Sequence, residues 1–263
     1  MRAMYAIAAK ECRVYLTTWT SYILFGGFMF ATAFFFSQRV ALFQLAAMET
    51  MQRQQGMMDR LNLTDFVVNP VFMDITVFFL FMIPIMTMRQ FAEERRTKTL
   101  ELLMTAPVRP LDIVLGKFLG CMVILLIMLG LTIIFPILLT VFGGATGQAN
   151  PVDWAGIAVA YFGMFLLGAS FVAVGLFASS VTDSQIVAVI IGFIILIMFF
   201  VIGIAGRGQE GFWKEFLDYI SITNHLEPFV RGVLRIPDVA YYLSLGFVGL
   251  FFTYRVIEAQ RWR

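Results

Sequence analysis

The sequence predicts an all-α fold: a polytopic membrane protein with six transmembrane helices and an interfacial helix at its N-terminus. Three observations predict it. The 263 residues are 60% hydrophobic and only 14% charged, where soluble domains carry about 25% charged residues. Mean hydropathy is +0.85, more apolar surface than one soluble domain of this length buries. The apolar residues also gather into long runs, each near the ~20 residues a helix needs to cross a bilayer.

The elements follow in order. Residues 1–16 read as an interfacial helix. At about 100° per residue, Arg2, Lys10 and Arg13 share one stripe, with Met4, Ala8, Cys12 and Tyr15 on the other side. Such a helix rests on the inner leaflet with its basic stripe near anionic head groups; a plain tail ahead of the first span is the alternative. The first span, 18–36, is too long for a signal-peptide core, and no small-x-small cleavage pattern follows it.

Residues 37–69 form a long outer loop. A structureless stretch of that length is uncommon in a compact fold. Residues 38–53 have helical character and break at Gly56. They predict a helix on the outer surface, serving either an extracytoplasmic partner subunit or a local lid.

The second span is 70–88. A dense charged island follows, with Glu93, Glu94, Arg95, Arg96, Lys98 and Glu101 between apolar flanks. Residues 91–104 have helical periodicity, and Glu94 precedes Lys98 at i,i+4, the favourable orientation. Pro107 stops this helix. Pro110 suits the first turn of the next, where its missing N–H costs nothing. That helix runs on into the third span, 119–142. Residues 89–117 therefore predict a charged hairpin facing water and continuous with a membrane helix. A soluble partner could push there.

The fourth span, 154–179, is rich in small residues. Ala169/Ala173 and Gly175/Ser179 have the spacing that lets helix backbones approach closely; packing within the chain is the first reading and contact between protomers the second. In the short turn after it, Thr182 or Asp183 can cap the fifth span, 185–203. Residues 204–238 form the second outer loop. Within it Phe212, Trp213, Phe216, Leu217, Phe229 and Val233 make an amphipathic element, and aromatic residues in such a place are interfacial anchors. His225 packs or caps within it. The sixth span is 239–254.

Basic residues set the orientation. With the N-terminus inside, the inner segments hold 12 of the 19 Lys and Arg and the outer segments 7, although the outer segments are longer. Six spans then place both termini in the cytoplasm.

Several chemistries are excluded. A phosphate-cradling loop ends in Gly-Lys-Ser/Thr. The nearest match, Gly116-Lys117-Phe118, lacks the hydroxyl residue and the upstream glycine. Ion-coupled carriers need ionisable groups inside the spans. Asp74 alone comes close, and it reads as an interfacial carboxylate near the outer end of the second span. No catalytic constellation, metal-ligand spacing or nucleic-acid partner is expected, and Cys12 and Cys121 predict no disulfide. The chain reads as a membrane device driven from outside itself. The competing reading is a membrane scaffold that anchors an extracytoplasmic complex without transport.

The string Ala92-Glu93-Glu94-Arg95-Arg96, then Thr99 through Val108, then Gly116-Lys117-Phe118, resembles the inner hairpin of type-2 ABC transporter permeases. Residues 5–28 and 217–244 are similar to the gliding-motility permease subgroup. The permease of the copper-enzyme (nitrous oxide reductase) maturation transporter shares this architecture. One departure is Lys98, where glycine is usual. The resemblance covers most of the chain and implies a single permease domain over 1–263. It implies a coupling helix that docks on separate ATPase subunits through Glu93, Glu94, Arg95, Arg96, Leu100, Glu101, Thr105 and Pro107. Thr182 and Asp183 would make a second, smaller contact. It implies ATP and Mg on the ATPase, with no cofactor on this chain. A second permease subunit, identical or not, would meet this one through the first and fifth spans, around a greasy pathway lined by Phe199 and Phe200. The location implied is the bacterial inner membrane.

Overall fold

A computed structural model describes residues 2–52, 63–101, 108–142, 152–206 and 211–260. Among them there are helices and turns but no strand. Six helical segments are long and apolar enough to cross a membrane.

Helix α1 (Arg2–Thr17) ends where Thr17 and Thr18 donate their hydroxyls back to the carbonyls of Arg13 and Val14, a local bond that competes with continuing the helix. Helix α2 (Trp19–Gln52) spans 34 residues, about 50 Å at 1.5 Å per residue. It corrects one expectation: the helical part of the first outer loop is no separate surface element but the continuation of the first span. The reason is plain in the sequence, since neither Gly nor Pro occurs between Gly27 and Gly56.

A single wide turn at Thr64–Val68 leads into α3 (Asn69–Thr87), with Pro70 in its first turn. Helix α4 (Arg89–Arg96) follows almost without a break. It is shorter than the sequence predicts. The backbone leaves the helix at Thr97, and Lys98 takes a φ of 55°, a left-handed conformation suited to glycine. Helix α5 (Pro110–Thr132) starts on its proline, as expected. The third span then breaks before α6 (Ile134–Phe142), because Pro136 lacks an N–H and its ring crowds the carbonyl of Thr132.

Helix α7 (Trp154–Val181) is capped by the Asp153 carboxylate, which accepts from Ala155 N. Helix α8 (Gln185–Gly206) follows. The second outer segment folds as α9 (Phe212–Ile220) and α10 (Ile222–Val230), and the chain closes with α11 (Ile236–Gln260).

Helix α7 is the hub, packed against α3, α5, α8, α10 and α11. Its small residues make that possible within one chain. A Cβ added at Gly175 would lie 2.1 Å from Thr87 Oγ1, and one at Gly163 would lie 2.4 Å from Phe229 Cβ. Phe229 is thus fully buried, which corrects its expected place among the interfacial anchors. Phe216 and Val233 are exposed as expected. By contrast α2, α8 and α11 are mostly uncovered along their apolar length.

The end of the bundle away from α4 is held by polar pairs. Arg39 donates to both oxygens of Asp74 at 2.8–2.9 Å, so Asp74 joins α2 to α3. His225 Nε2 donates to the Tyr219 carbonyl at 2.9 Å, and Nδ1 lies 2.6 Å from Asp238 Oδ1. The imidazole stacks on Tyr241 with ring centres 4.0 Å apart. His225 therefore does more than pack within its element: it ties α9 and α10 to α11.

Candidate functional site

The charged island builds its site around a buried lysine. Lys117 is 1% exposed, on the second turn of α5. Burying a lone ammonium is too costly to persist, so a buried Lys needs partners. It has two carboxylates, Glu94 of α4 at 2.9 Å and Glu11 of α1 at 3.2 Å, and its ammonium sits 5.2 Å from the centre of the Phe91 ring. Lys10 completes the cluster, 3.3 Å from Glu94 and 3.7 Å from Glu11. Burial works against the charge of Lys10, but Glu94 and Glu11 together outweigh it and hold the ammonium above its ordinary value. Three helices thus meet on one ion network.

Glycines bring α1 close enough for this. A Cβ at Gly116 would fall 2.9 Å from the Ile7 side chain and from the Met4 carbonyl, and one at Gly120 would fall 2.8 Å from Glu11 Cβ. Tyr15 anchors the far end of α1. Its hydroxyl donates to the Met86 carbonyl and accepts from Gln90 Nε2.

Ser179 of α7 fastens the other side of α4. Its Oγ accepts from the backbone N–H groups of Phe91 and Ala92 at 3.0 and 3.1 Å and donates to the Met88 carbonyl at 2.8 Å. One hydroxyl therefore satisfies groups that the first turn of a helix leaves without intrahelical partners. Arg95 reaches Asp183 in the turn before α8, 3.4 Å away, and Gln185 at the start of α8 donates to Glu93 at 3.4 Å.

The chain matches the family described as ABC-2 family transporter protein over residues 5–253. It belongs to that family. A comparison with curated proteins finds no match. As an ABC-2 transporter protein it is a multi-pass transmembrane subunit of an ABC transporter, a kind of protein that works with ABC ATPase partners.

In this ABC-2 protein the expected coupling residues divide by environment. Arg96 and Glu101 are exposed and Leu100 is buried. Glu93 pairs with Arg89 at 2.8 Å, and Glu94 and Arg95 are half-buried in the contacts above. The Glu94–Lys98 pair is not formed: the left-handed turn at Lys98 takes it off the helix, and Glu94 turns to Lys117 and Lys10 instead. Thr105 and Pro107 lie outside the described residues. Thr182 accepts from Ser184 N within the turn before α8, and Asp183 pairs with Arg95. Phe199 and Phe200 are half-buried and pack against the core.

Lys117, Glu11 and Ser179 were not legible as partners of α4. The sequence signal for Lys117 was its place inside Gly116-x-x-x-Gly120, a close-approach spacing that here seats α1. A carboxylate at Glu11 in a helix otherwise basic and apolar was the second signal.

Proposed function

We propose that this chain is the permease half of an ATP-driven transporter and that α4 with the turn after it is the lever on which a separate ATPase acts. One observation carries the reading. Helix α4 is fastened to α5 through Glu94–Lys117 and to α7 through Ser179, so a push on α4 is delivered to two membrane helices at once. The exposed side of the lever, Arg96 and Glu101, is the docking face, with Thr105 and Pro107 in the segment that follows. Glu93, Glu94, Arg95 and Leu100 set its stance, and Thr182 and Asp183 make the lesser contact.

Two permease subunits, like or unlike, meet through the uncovered faces of α2 and α8, with Phe199 and Phe200 lining the path between them. The ATPase holds ATP and Mg. Both termini and α4 face the cytoplasm of a bacterial inner membrane, and the complex exports a cargo or does mechanical work. The strings at 5–28 and 217–244 support kinship with the gliding-motility permeases, and the shared architecture supports kinship with the nitrous oxide reductase maturation permease. An extracytoplasmic subunit would sit on the opposite end.

The test is charge reversal on the exposed face alone, Arg96→Glu with Glu101→Lys. Exposed substitutions of this kind change stability by about 0.5 kcal/mol or less. The chain should keep its yield and melting behaviour in detergent, while its ATPase subunit no longer co-purifies. Retention of the ATPase at wild-type stoichiometry and turnover would place the contact elsewhere.

A further inference from the structure

A cleft of about 240 Å³ opens between α1, the start of α2 and α4. Three cations, Lys10, Arg89 and Lys117, and three carboxylates, Glu11, Glu93 and Glu94, line it. The lining is therefore balanced in formal charge, which suits a zwitterion better than an anion. Gln90 also lines it and is 3% exposed.

The amide of Gln90 has one orientation. The single proton of Tyr15 goes to the Met86 carbonyl, so the hydroxyl must accept, and only Gln90 Nε2 can donate to it. That leaves Gln90 Oε1 buried with no hydrogen-bond partner in the protein, and Glu94 Oε2 is in the same condition. Buried acceptors of this kind are costly unless something donates to them. One ordered water needs only about 10–15 Å³, so the cleft has room for a larger group. Donors stand ready on the same cleft. Arg89 has five N–H groups, of which Nε is given to Glu93 and one NH1 proton to Thr20, and Lys10 has three. Leu16, Trp19 and Tyr22, next in sequence to the lining residues Tyr15, Thr18 and Ser21, are all exposed, and Trp and Tyr are the residues of a membrane–water interface.

We propose that this cleft binds the phosphoethanolamine headgroup of a membrane lipid. The ammonium donates to Gln90 Oε1 and Glu94 Oε2, and the phosphate accepts from Arg89 and Lys10. The acyl chains run out past Trp19 and Tyr22. The site shares Glu93, Glu94 and the turn after α4 with the proposed lever, but its binding of lipid depends only on this end of α2 lying at a bilayer surface.

The experiment is native mass spectrometry and thermal unfolding of the full-length chain, delipidated in neutral detergent. It is titrated with ethanolamine, choline and glycerol phospholipids of identical acyl chains, and separately with free phosphoethanolamine. The ethanolamine lipid should bind saturably and raise the melting temperature. A choline headgroup has no N–H to donate, and losing one charge-assisted hydrogen bond weakens affinity about tenfold or more. Gln90→Met should abolish the preference, and Arg89→Gln should weaken binding of every phospholipid without changing the order of the headgroups. If Gln90→Met fails to fold, Arg89→Gln and the headgroup series decide alone. Equal binding of the choline lipid, tighter binding of the anionic glycerol lipid, or no selective binding overturns the proposal. Full stabilisation by free phosphoethanolamine overturns the lipid source. None of these readouts involves the ATPase, so the coupling proposal stands or falls apart from them.

Discussion

Lys117 is the residue on which the charged end of the bundle is balanced. With Glu94 and Glu11 in place the buried ammonium is satisfied; without it, the two carboxylates share Lys10 alone. Breaking a buried ion pair on one side costs about 3–5 kcal/mol. Lys117→Met should therefore lower stability by that order in detergent, read by thermal or denaturant unfolding. The double variant with Glu94→Gln should recover part of the loss, because it removes one stranded charge as well. Simple additivity of the two changes would mean that the pair is not coupled. At Lys98 the sign is reversed. A non-glycine residue held at φ 55° carries a left-handed backbone cost of roughly 1 kcal/mol, so Lys98→Gly should stabilise the chain by about that much. A fall in melting temperature would mean that the side chain does more than its exposed position suggests.

At the level of elements, α4 is too short to hold itself in place. Eight residues are below the ~12–15 at which an isolated helix becomes marginal in water, so its stance comes from its neighbours. Ser179 supplies three hydrogen bonds to that stance. Ser179→Ala leaves two buried N–H groups without an acceptor and should cost about 1–3 kcal/mol, together with increased amide exchange at Phe91 and Ala92. Unchanged exchange at those two amides would show the hydroxyl to be dispensable. Close helix crossings have the same local character. Gly175→Val, at the contact with Thr87, should prevent the α3–α7 packing and reduce folded yield.

For the whole molecule, what matters is which faces are left over. Helix α7 spends its surface inside the chain, while α2 and α8 keep theirs outside it. Gly26 and Gly27 have nothing within 4 Å of an added Cβ. Gly in a helix interior costs about 0.5–1 kcal/mol relative to Ala, so Gly26→Leu should fold at least as well as the natural chain. If α2 meets a second permease subunit, as proposed, the same substitution should weaken that association, measured by cross-linking or mass photometry in detergent. Intact dimers with Gly26→Leu would move the subunit contact to another face.

Hydropathy determined the number of spans and the charged island between the second and third, and Pro110 determined the start of α5. These are local properties, set by the burial preference of consecutive side chains and by proline's missing N–H. A match over residues 5–253 places the chain among ABC-2 transporters. The length of α2 was legible too, in the absence of Gly and Pro, but a span boundary drawn on hydropathy stops where polarity begins, and the helix does not. Only the tertiary structure decided the partners of the charges. Glu94 has a lysine four residues away in sequence and takes one 23 residues away instead, because Lys98 turns out of the helix while Gly116 and Gly120 let α1 press Glu11 and Lys10 onto α5. Which carboxylate neutralises a buried ammonium depends on where three helices meet, and that is fixed by packing between segments far apart in the chain.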